Sequence, residues 1–333
     1  MSKYTAAHAD PQGPGDTRPT ALQIIEDEGI KGKLSDKVVV ITGVSSGIGI
    51  ETARALATTG ATLYLTARNL AKAETALAEF FNPVQMKLVE MDQGSLESVR
   101  KAANAILSET DKVNILINNA GIMAVPDLEF TNDGFELQFG TNHLSHFLLF
   151  QMLKPALLTA TSTEFQSRVV IVASAGHKIC GINTSDNYNF QKGGYEAWTA
   201  YSQSKTANIY TANEIERRYG SCGIHALSLN PGFIATGLGK FLSAEQIDQL
   251  VQNKEMMKIM KSVEQGAATT VLAAIGKEWE GKGGRYLSEC AEAERALDDD
   301  DPRNEVYVSH TYSLEDEARL WKDSLKMVGL SDE

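Results

Sequence analysis

The run VVVIT at 38–42 passes directly into GVSSGIG and then into IETARALATTG. A strand-like segment, a bend almost without large side chains and a helix-like segment therefore follow one another without a break. A short β-branched run reads as a buried strand, and the periodic segment after it as a helix folded back on that strand. This join constrains the fold more than any other stretch of the chain. Glycine at such a junction permits turn geometry closed to other residues and leaves the N–H groups at the positive helix start open to an anion. Gly43, Gly47 and Gly49 stand there. Taken alone, the stretch is equally an ordinary Gly/Ser turn.

The strand–helix pattern continues. Apolar runs bounded by turn residues lie at 38–42, 62–66, 86–91, 113–118, 168–173 and 225–229, with helical patterns at 47–59, 70–80, 95–108, 140–158 and 199–219. Fully apolar strands alternating with helices predict an α/β fold with a doubly wound parallel sheet, Rossmann-type, because each crossover places a helix on a sheet face. No repeat, Pro-rich linker or break in composition divides residues 35–290, so one domain is expected there. Residues 1–34 read as a flexible N-terminal arm. Residues 291–333 read as an acidic, solvated loop (DDDDP at 298–302) followed by an amphipathic helix, with Leu314, Leu320, Trp321, Leu325 and Val328 available to dock.

Composition excludes several functions. A net charge of −12 disfavours nucleic acid and anionic membrane as partners, since both select clustered Lys and Arg. Apolar runs such as HFLLFQML are far shorter than a membrane span. The first twenty residues show neither an apolar signal core nor an Arg-rich amphipathic face, so the expected location is cytoplasmic. Cys180, Cys222 and Cys290 have no metal-ligand or disulfide spacing and read as reduced thiols. Cys180 has no activating neighbour in sequence. His143 and His146 lack further ligands and read as structural.

The glycine spacing is Thr-Gly-x-x-x-Gly-x-Gly. NNAG at 118–121, TNHLSHF with Asn142, VVIVASAG with Ser174, YSQSK with Tyr201 and Lys205, and LNPGFIAT with Thr236 follow in order. Together these motifs span roughly residues 37–237 and resemble the short-chain dehydrogenase/reductase family, most of all the branch of retinol dehydrogenases and WW-domain oxidoreductases. The resemblance implies a catalytic set of Asn142, Ser174, Tyr201 and Lys205. It further implies cofactor contacts from Gly43, Ser45, Ser46, Gly47, Ile48, Gly49, Arg68, Lys72, Asp92, Asn119, Tyr201, Lys205, Ile234 and Thr236.

The residues themselves support the chemistry. Tyr201 and Lys205 are four apart in a helical pattern and share one face. A phenol titrates near pH 10, and an adjacent ammonium is expected to favour its phenolate, bringing Tyr201 toward general acid/base use. Ser174 at the end of the fifth strand can hydrogen-bond the same substrate oxygen. By the resemblance, Asn142 holds a water linking Lys205 to solvent, Lys205 also holds the nicotinamide ribose, and Asp92 bonds the adenine amine. Free of that context, Ser174 reads equally as a cap, Asn142 as a helix cap and Asp92 as a helix N-terminal residue.

NAD enzymes place an acid at the end of the second strand for the ribose hydroxyls. Here Arg68 stands there, with Lys72 one turn on, so NADP (NADPH) is favoured over NAD.

Between Ser174 and Tyr201 lie 26 residues, whose Ile179, Ile182, Tyr188, Phe190, Tyr195 and Trp198 suit a lipophilic small-molecule substrate. A second wall is expected along PGFIATGLGKF and the helical SAEQIDQLVQNKEMMKIMKSV. Met256, Met257 and Met260 read there as core packing before ligand contact. The expected function is an NADP(H)-dependent oxidoreductase interconverting a ketone or aldehyde and an alcohol, with the arm, acidic segment and broad pocket resembling fungal reductases of secondary metabolism. The alternatives are a non-catalytic NADP-binding scaffold and an epimerase or dehydratase on the same fold, which cofactor turnover separates. Homo-oligomerisation is left open by the sequence.

Overall fold

Val38–Thr42 forms β1 at the centre of an eight-stranded sheet in the order β3-β2-β1-β4-β5-β6-β7-β8, in a computed structural model that describes residues 2–296 and 306–332. The other strands are β2 Thr62–Ala67, β3 Met86–Glu90, β4 Ile115–Asn118, β5 Ser167–Val172, β6 Ile224–Leu229, β7 Arg285–Ser288 and β8 Ala291–Glu292. Strands β1 to β7 pair in parallel, and β8 closes the edge antiparallel. The sequence order reverses between β1 and β4, so loops on either side of that gap diverge and leave a crevice at the carboxyl strand ends.

Alternation along each strand separates two cores. Val39, Ile41, Leu63, Leu65, Ile115 and Ile117 pack with α1 (Ala21–Glu28), α2 (Ile48–Ala57), α3 (Leu70–Leu77) and α9 (Ala268–Ile275). Val40, Tyr64, Leu116, Val169 and Ile171 pack with α4 (Leu96–Glu109), α5 (Ser145–Ala160), α6 (Ala197–Tyr219) and α10 (Leu314–Met327). Two short helices, α7 (Ala244–Gln252) and α8 (Lys254–Ile259), project between β6 and β7.

The six expected strands form, with ends shifted by a residue or two. β7 and β8 were not expected, being too short to show a period. The helix expected at 140–158 begins as a single turn at Leu137–Phe139, widens to a π-type turn at Gly140–Leu144 and then becomes α5.

The flexible arm is a correction. Thr20 caps α1 by accepting from the Gln23 N–H, and Ile24 and Ile25 are fully buried in the first core. Upstream, Arg18 is 3% exposed: Nε bonds Asp16, NH1 donates to the Ile259 carbonyl at 2.7 Å, and NH2 donates to the carbonyls of Gly13 and Met260. Gln265 Nε2 in turn donates to Asp16 and to the Arg18 carbonyl. Ser2 Oγ donates to the Cys290 carbonyl. Polar composition signalled an arm; in the fold those polar groups satisfy backbone carbonyls. At the other end, Leu320, Trp321, Leu325 and Val328 dock as expected, but Leu314 is 72% exposed because it opens the helix on its outer face. The 298–302 run lies outside the described residues.

Candidate functional site

At the end of β1 the glycines are required by space as well as by backbone. Gly43 has φ +76°, and a Cβ there would meet Ala120 Cα and Cβ at 2.8 Å. A Cβ on Gly49 would run into the Gly43 carbonyl oxygen and lie 2.7 Å from Asn119 Nδ2. Gly47, φ +67°, is the N-cap of α2 and offers no side chain to its first turn, so those N–H groups face the crevice. The NNAG loop is tied to the same strand: Thr42 Oγ1 accepts from the N–H groups of Asn119 and Ala120, both at 2.9 Å, and Asn119 Nδ2 donates to the Thr42 carbonyl. Asn119 Oδ1 is buried with no hydrogen-bond partner among the described residues.

Ser45, Ser46, Ile48, Ile234 and Thr236 line the same crevice. Arg68 and Lys72 line its rim, both exposed, with no hydrogen bond or ion pair from either side chain among the described residues. Asp92 also lines it, with Oδ1 accepting from the Gly94 N–H; it belongs to the turn before α4, whose cap is Ser95. A glycine cradle, an uncapped helix start, a buried unpartnered acceptor and two unpaired cations fit a dinucleotide phosphate backbone.

Ser174 lies two residues beyond β5 and caps the short turn Ala175–Ile179, its Oγ accepting from the Gly176 N–H at 3.0 Å and facing the Tyr201 phenol, whose titration it pulls down. Tyr201 is 3% exposed, and burial pushes its phenol up to about 12, against the pull of the Ser174 bond. Lys205, one turn along α6, donates from Nζ to the Val172 carbonyl at 3.0 Å and lies 5.7 Å from the Tyr201 ring centroid. Burial pulls the Lys205 ammonium down to about 8. The phenol expected to be lowered is instead raised, because desolvation dominates at both groups.

Asn142 does not cap a helix. It lies in the π-type turn, where Oδ1 accepts from the Ile122 N–H and Nδ2 donates to the Ile122 carbonyl and Ser204 Oγ, each at 2.9 Å. A Cβ on Gly121 would meet Asn142 Oδ1 at 3.2 Å and Lys205 Nζ at 3.5 Å, and one on Gly176 would meet Tyr201 Cε1 at 3.0 Å and Ser174 Oγ at 3.3 Å, so the set falls into two pairs, each packed against a glycine. His146 bolts this region to β1, its Nδ1 donating to the Asn142 carbonyl and its Nε2 accepting from Thr42 Oγ1. His143 bonds Ser324 of α10. Both imidazoles are held neutral by burial and serve structural roles. Burial also raises the Cys180 thiol, whose Sγ bonds the Thr199 carbonyl.

The crevice has a volume of about 1590 Å³. Of the six apolar residues expected on its wall, Ile179 and Trp198 line it. Tyr188 instead stacks on Phe139 at 5.2 Å and donates to Asp323, Phe190 packs edge-on against Tyr195, Tyr195 donates to the Val125 carbonyl, and Ile182 packs on the second core. Those four are structural. Met256, Met257 and Met260, read as core packing, line the crevice.

With them stand Phe233, Leu238, Phe241, Leu242, Ile247 and Leu250, forming a wall closed at its base where Lys261 N–H donates to the Phe233 carbonyl. From Pro231 to Met260 this wall carries one charge into the crevice, Lys240, whose Nζ sits 4.5 Å from the Phe241 ring.

The sequence reading missed Gly176, where a Cβ would lie 3.0 Å from Tyr201 Cε1, and His177, buried behind Ser174. The one signal was their adjacency to Ser174.

A sequence profile of the family described as short chain dehydrogenase matches residues 37–247. The chain is 49% identical over 330 residues to the short-chain dehydrogenase/reductase prx1 of Penicillium roqueforti, covering 99% of this chain and 96% of that one. It is 33% identical to human retinol dehydrogenase 14, covering 93% and 91%. A solved structure of an uncharacterized protein from Mycobacterium paratuberculosis superposes with a TM-score of 0.69 at 29% identity, covering 94% and 98%.

Proposed function

The chain belongs to the short-chain dehydrogenase/reductase family and is an oxidoreductase, and on that premise we propose that it reduces the carbonyl of a bulky, uncharged, lipophilic molecule with NADPH, or runs the reverse oxidation. One observation carries the reading: Ser174, Tyr201 and Lys205 line a single crevice with a glycine cradle at one end and a nearly uncharged wall at the other. Gly43, Gly47 and Gly49 would hold a dinucleotide in that cradle, which when bound would supply the hydride for the carbonyl carbon. Arg68 and Lys72, unpaired where an acid would serve NAD, favour the extra phosphate of NADP.

The chain's own residues handle the oxygen. Ser174, its Oγ fixed by the Gly176 N–H, keeps its hydrogen to steady the carbonyl oxygen. Tyr201, at about 12, stays protonated at neutral pH and gives its proton to that oxygen as charge develops. Lys205, at about 8, is mostly charged at neutral pH and stabilises the phenolate left behind. Asn142 fixes the Ile122 loop against α6 so that these groups keep their spacing.

The wall decides the substrate. An ionised group pressed against Phe233, Leu238 and Met256 would lose its water without a partner, at a cost of several kcal/mol, so a neutral lipophilic molecule is selected.

The test is NADPH consumption with a panel of bulky neutral ketones. Wild type consumes NADPH with formation of the alcohol. Tyr201→Phe still binds NADPH within a few-fold but loses about 10²-fold or more in kcat, as expected for general acid catalysis. Wild-type preference for NADH, or a Tyr201→Phe rate above roughly a tenth of wild type, refutes the reading.

A further inference from the structure

The loop that carries Ser174 is held from behind by a segment more than a hundred residues away. The Ser174 carbonyl accepts from the His177 N–H at 3.1 Å and contacts His177 Nδ1 at 2.7 Å. A carbonyl only accepts, so Nδ1 carries the imidazole proton. Nε2 is then an acceptor, and it lies 3.0 Å from Thr311 Oγ1, whose hydroxyl donates to it. Thr311 Oγ1 itself accepts from the Val308 N–H at 3.1 Å.

The direction of every hydrogen bond in the chain Val308, Thr311, His177, Ser174 is therefore settled. His177 and Thr311 are both fully buried, and neither lines the crevice. The same segment grips the loop a second time: His310 Nε2 lies 2.9 Å from the His177 carbonyl, and Tyr210 of α6 donates to the His310 carbonyl at 2.5 Å. Tyr286 of β7 packs edge-on over the His177 ring at 4.8 Å.

We propose that His177 and Thr311 are positioning residues for Ser174, so that the segment leading into the C-terminal helix is part of the support of the reaction centre. This rests on the function proposed above, in which Ser174 holds the substrate oxygen. Emptying Nε2 lets the imidazole turn, which leaves the Ser174 carbonyl held by the His177 N–H alone. Ser174 and Gly176 then move relative to Tyr201, whose ring packs so close to Gly176 that a side chain there would meet it.

Thr311→Val keeps the shape and removes the donor; Thr311→Ser keeps the donor. The expected result is a kcat at least tenfold lower in Thr311→Val, with the KM for NADPH within twofold of wild type, and recovery to within threefold in Thr311→Ser. A folded Thr311→Val with more than half the wild-type kcat overturns the proposal, as does Thr311→Ser as slow as Thr311→Val. Should Thr311→Val not fold, nitrogen-15 NMR of the wild-type chain decides instead, with the His177 signal assigned from the spectrum of His177→Gln. A protonated Nδ1 supports the proposal, and a protonated Nε2 refutes it. A wild type that consumes no NADPH with any carbonyl compound defeats the proposed function, whereas the NMR result still bears on this network.

Discussion

The two ends of the crevice are built on opposite principles. At the cofactor end, β1, the glycine bend and α2 follow one another directly in sequence, and the contacts that matter are the close backbone approaches of the glycines within that unit and the short bonds of Thr42 and Asn119 that tie it to the NNAG loop. At the substrate end, α7 and α8 have no fully buried residue of their own, and the wall is fixed by groups far off in the chain, such as Arg18 on the Ile259 carbonyl across 241 positions. A site made from backbone geometry demands particular residues at fixed spacing. One made from side-chain clamps demands only a compatible partner somewhere else.

That contrast can be broken most sharply with paired glycines. At Gly49 an added methyl collides with the Gly43 carbonyl and Asn119, whereas at Gly239, in the wall, it meets only Leu242 at an ordinary 3.4 Å. Overpacking against backbone costs on the order of 1–3 kcal/mol even when the chain yields. Gly49→Ala is expected to abolish the rise in thermal midpoint that NADPH gives wild type and to cut NADPH affinity about a hundredfold or more, because the cradle is displaced as well as strained. Gly239→Ala should bind NADPH within twofold. Equal behaviour of the two variants in a titration would erase the distinction between the ends.

A smaller change is expected from Arg68→Asp. Replacing an unpaired guanidinium by a carboxylate removes one charge-assisted bond of about 1.5–3 kcal/mol and adds repulsion, so kcat/KM with NADPH should fall at least tenfold while that with NADH holds or rises. Lys72, one turn away, reaches the same region and moderates the loss. An unchanged ratio of the two efficiencies would show that this rim does not read the phosphate.

The smallest change sharpens the other side. Arg18→Met removes the clamp on the Ile259 and Met260 carbonyls, leaving the base of the wall to water. The KM for a bulky ketone should rise about fivefold, in line with the roughly 1 kcal/mol typical of one net hydrogen bond, with the KM for NADPH unchanged. A uniform loss in both constants would mean that the N-terminal segment supports the whole fold and not the wall.

The same contrast explains what could be read from the sequence. The central strands were visible because the stretches 38–41 and 169–172 are apolar on both faces, and the glycines because no other residue fits. Tyr201 and Lys205 stand four apart on one helix face, where local period suffices to bring them together, whereas Ser174 was joined to them by the order of motifs that the resemblance supplied. Tyr188, Phe190 and Tyr195 were misassigned because an aromatic residue in a loop has the same identity whether it faces a ligand or stacks on Phe139. The methionines erred in the opposite direction for the same reason. Burial decided the titration of Tyr201 and Lys205, and burial is a property of the whole assembly.

The bond from Ser2 to the Cys290 carbonyl spans 288 positions, and Arg18 waits for residues 259 and 260. During synthesis at about 5–20 residues per second, the strands at the centre can begin to pair while Ser2 and Arg18 still lack their distant partners at residues 290, 259 and 260, a wait of roughly 15–60 s for Ser2. The first part of the chain to leave the ribosome is thus among the last to be locked, and the substrate wall is completed by a segment made before any of it.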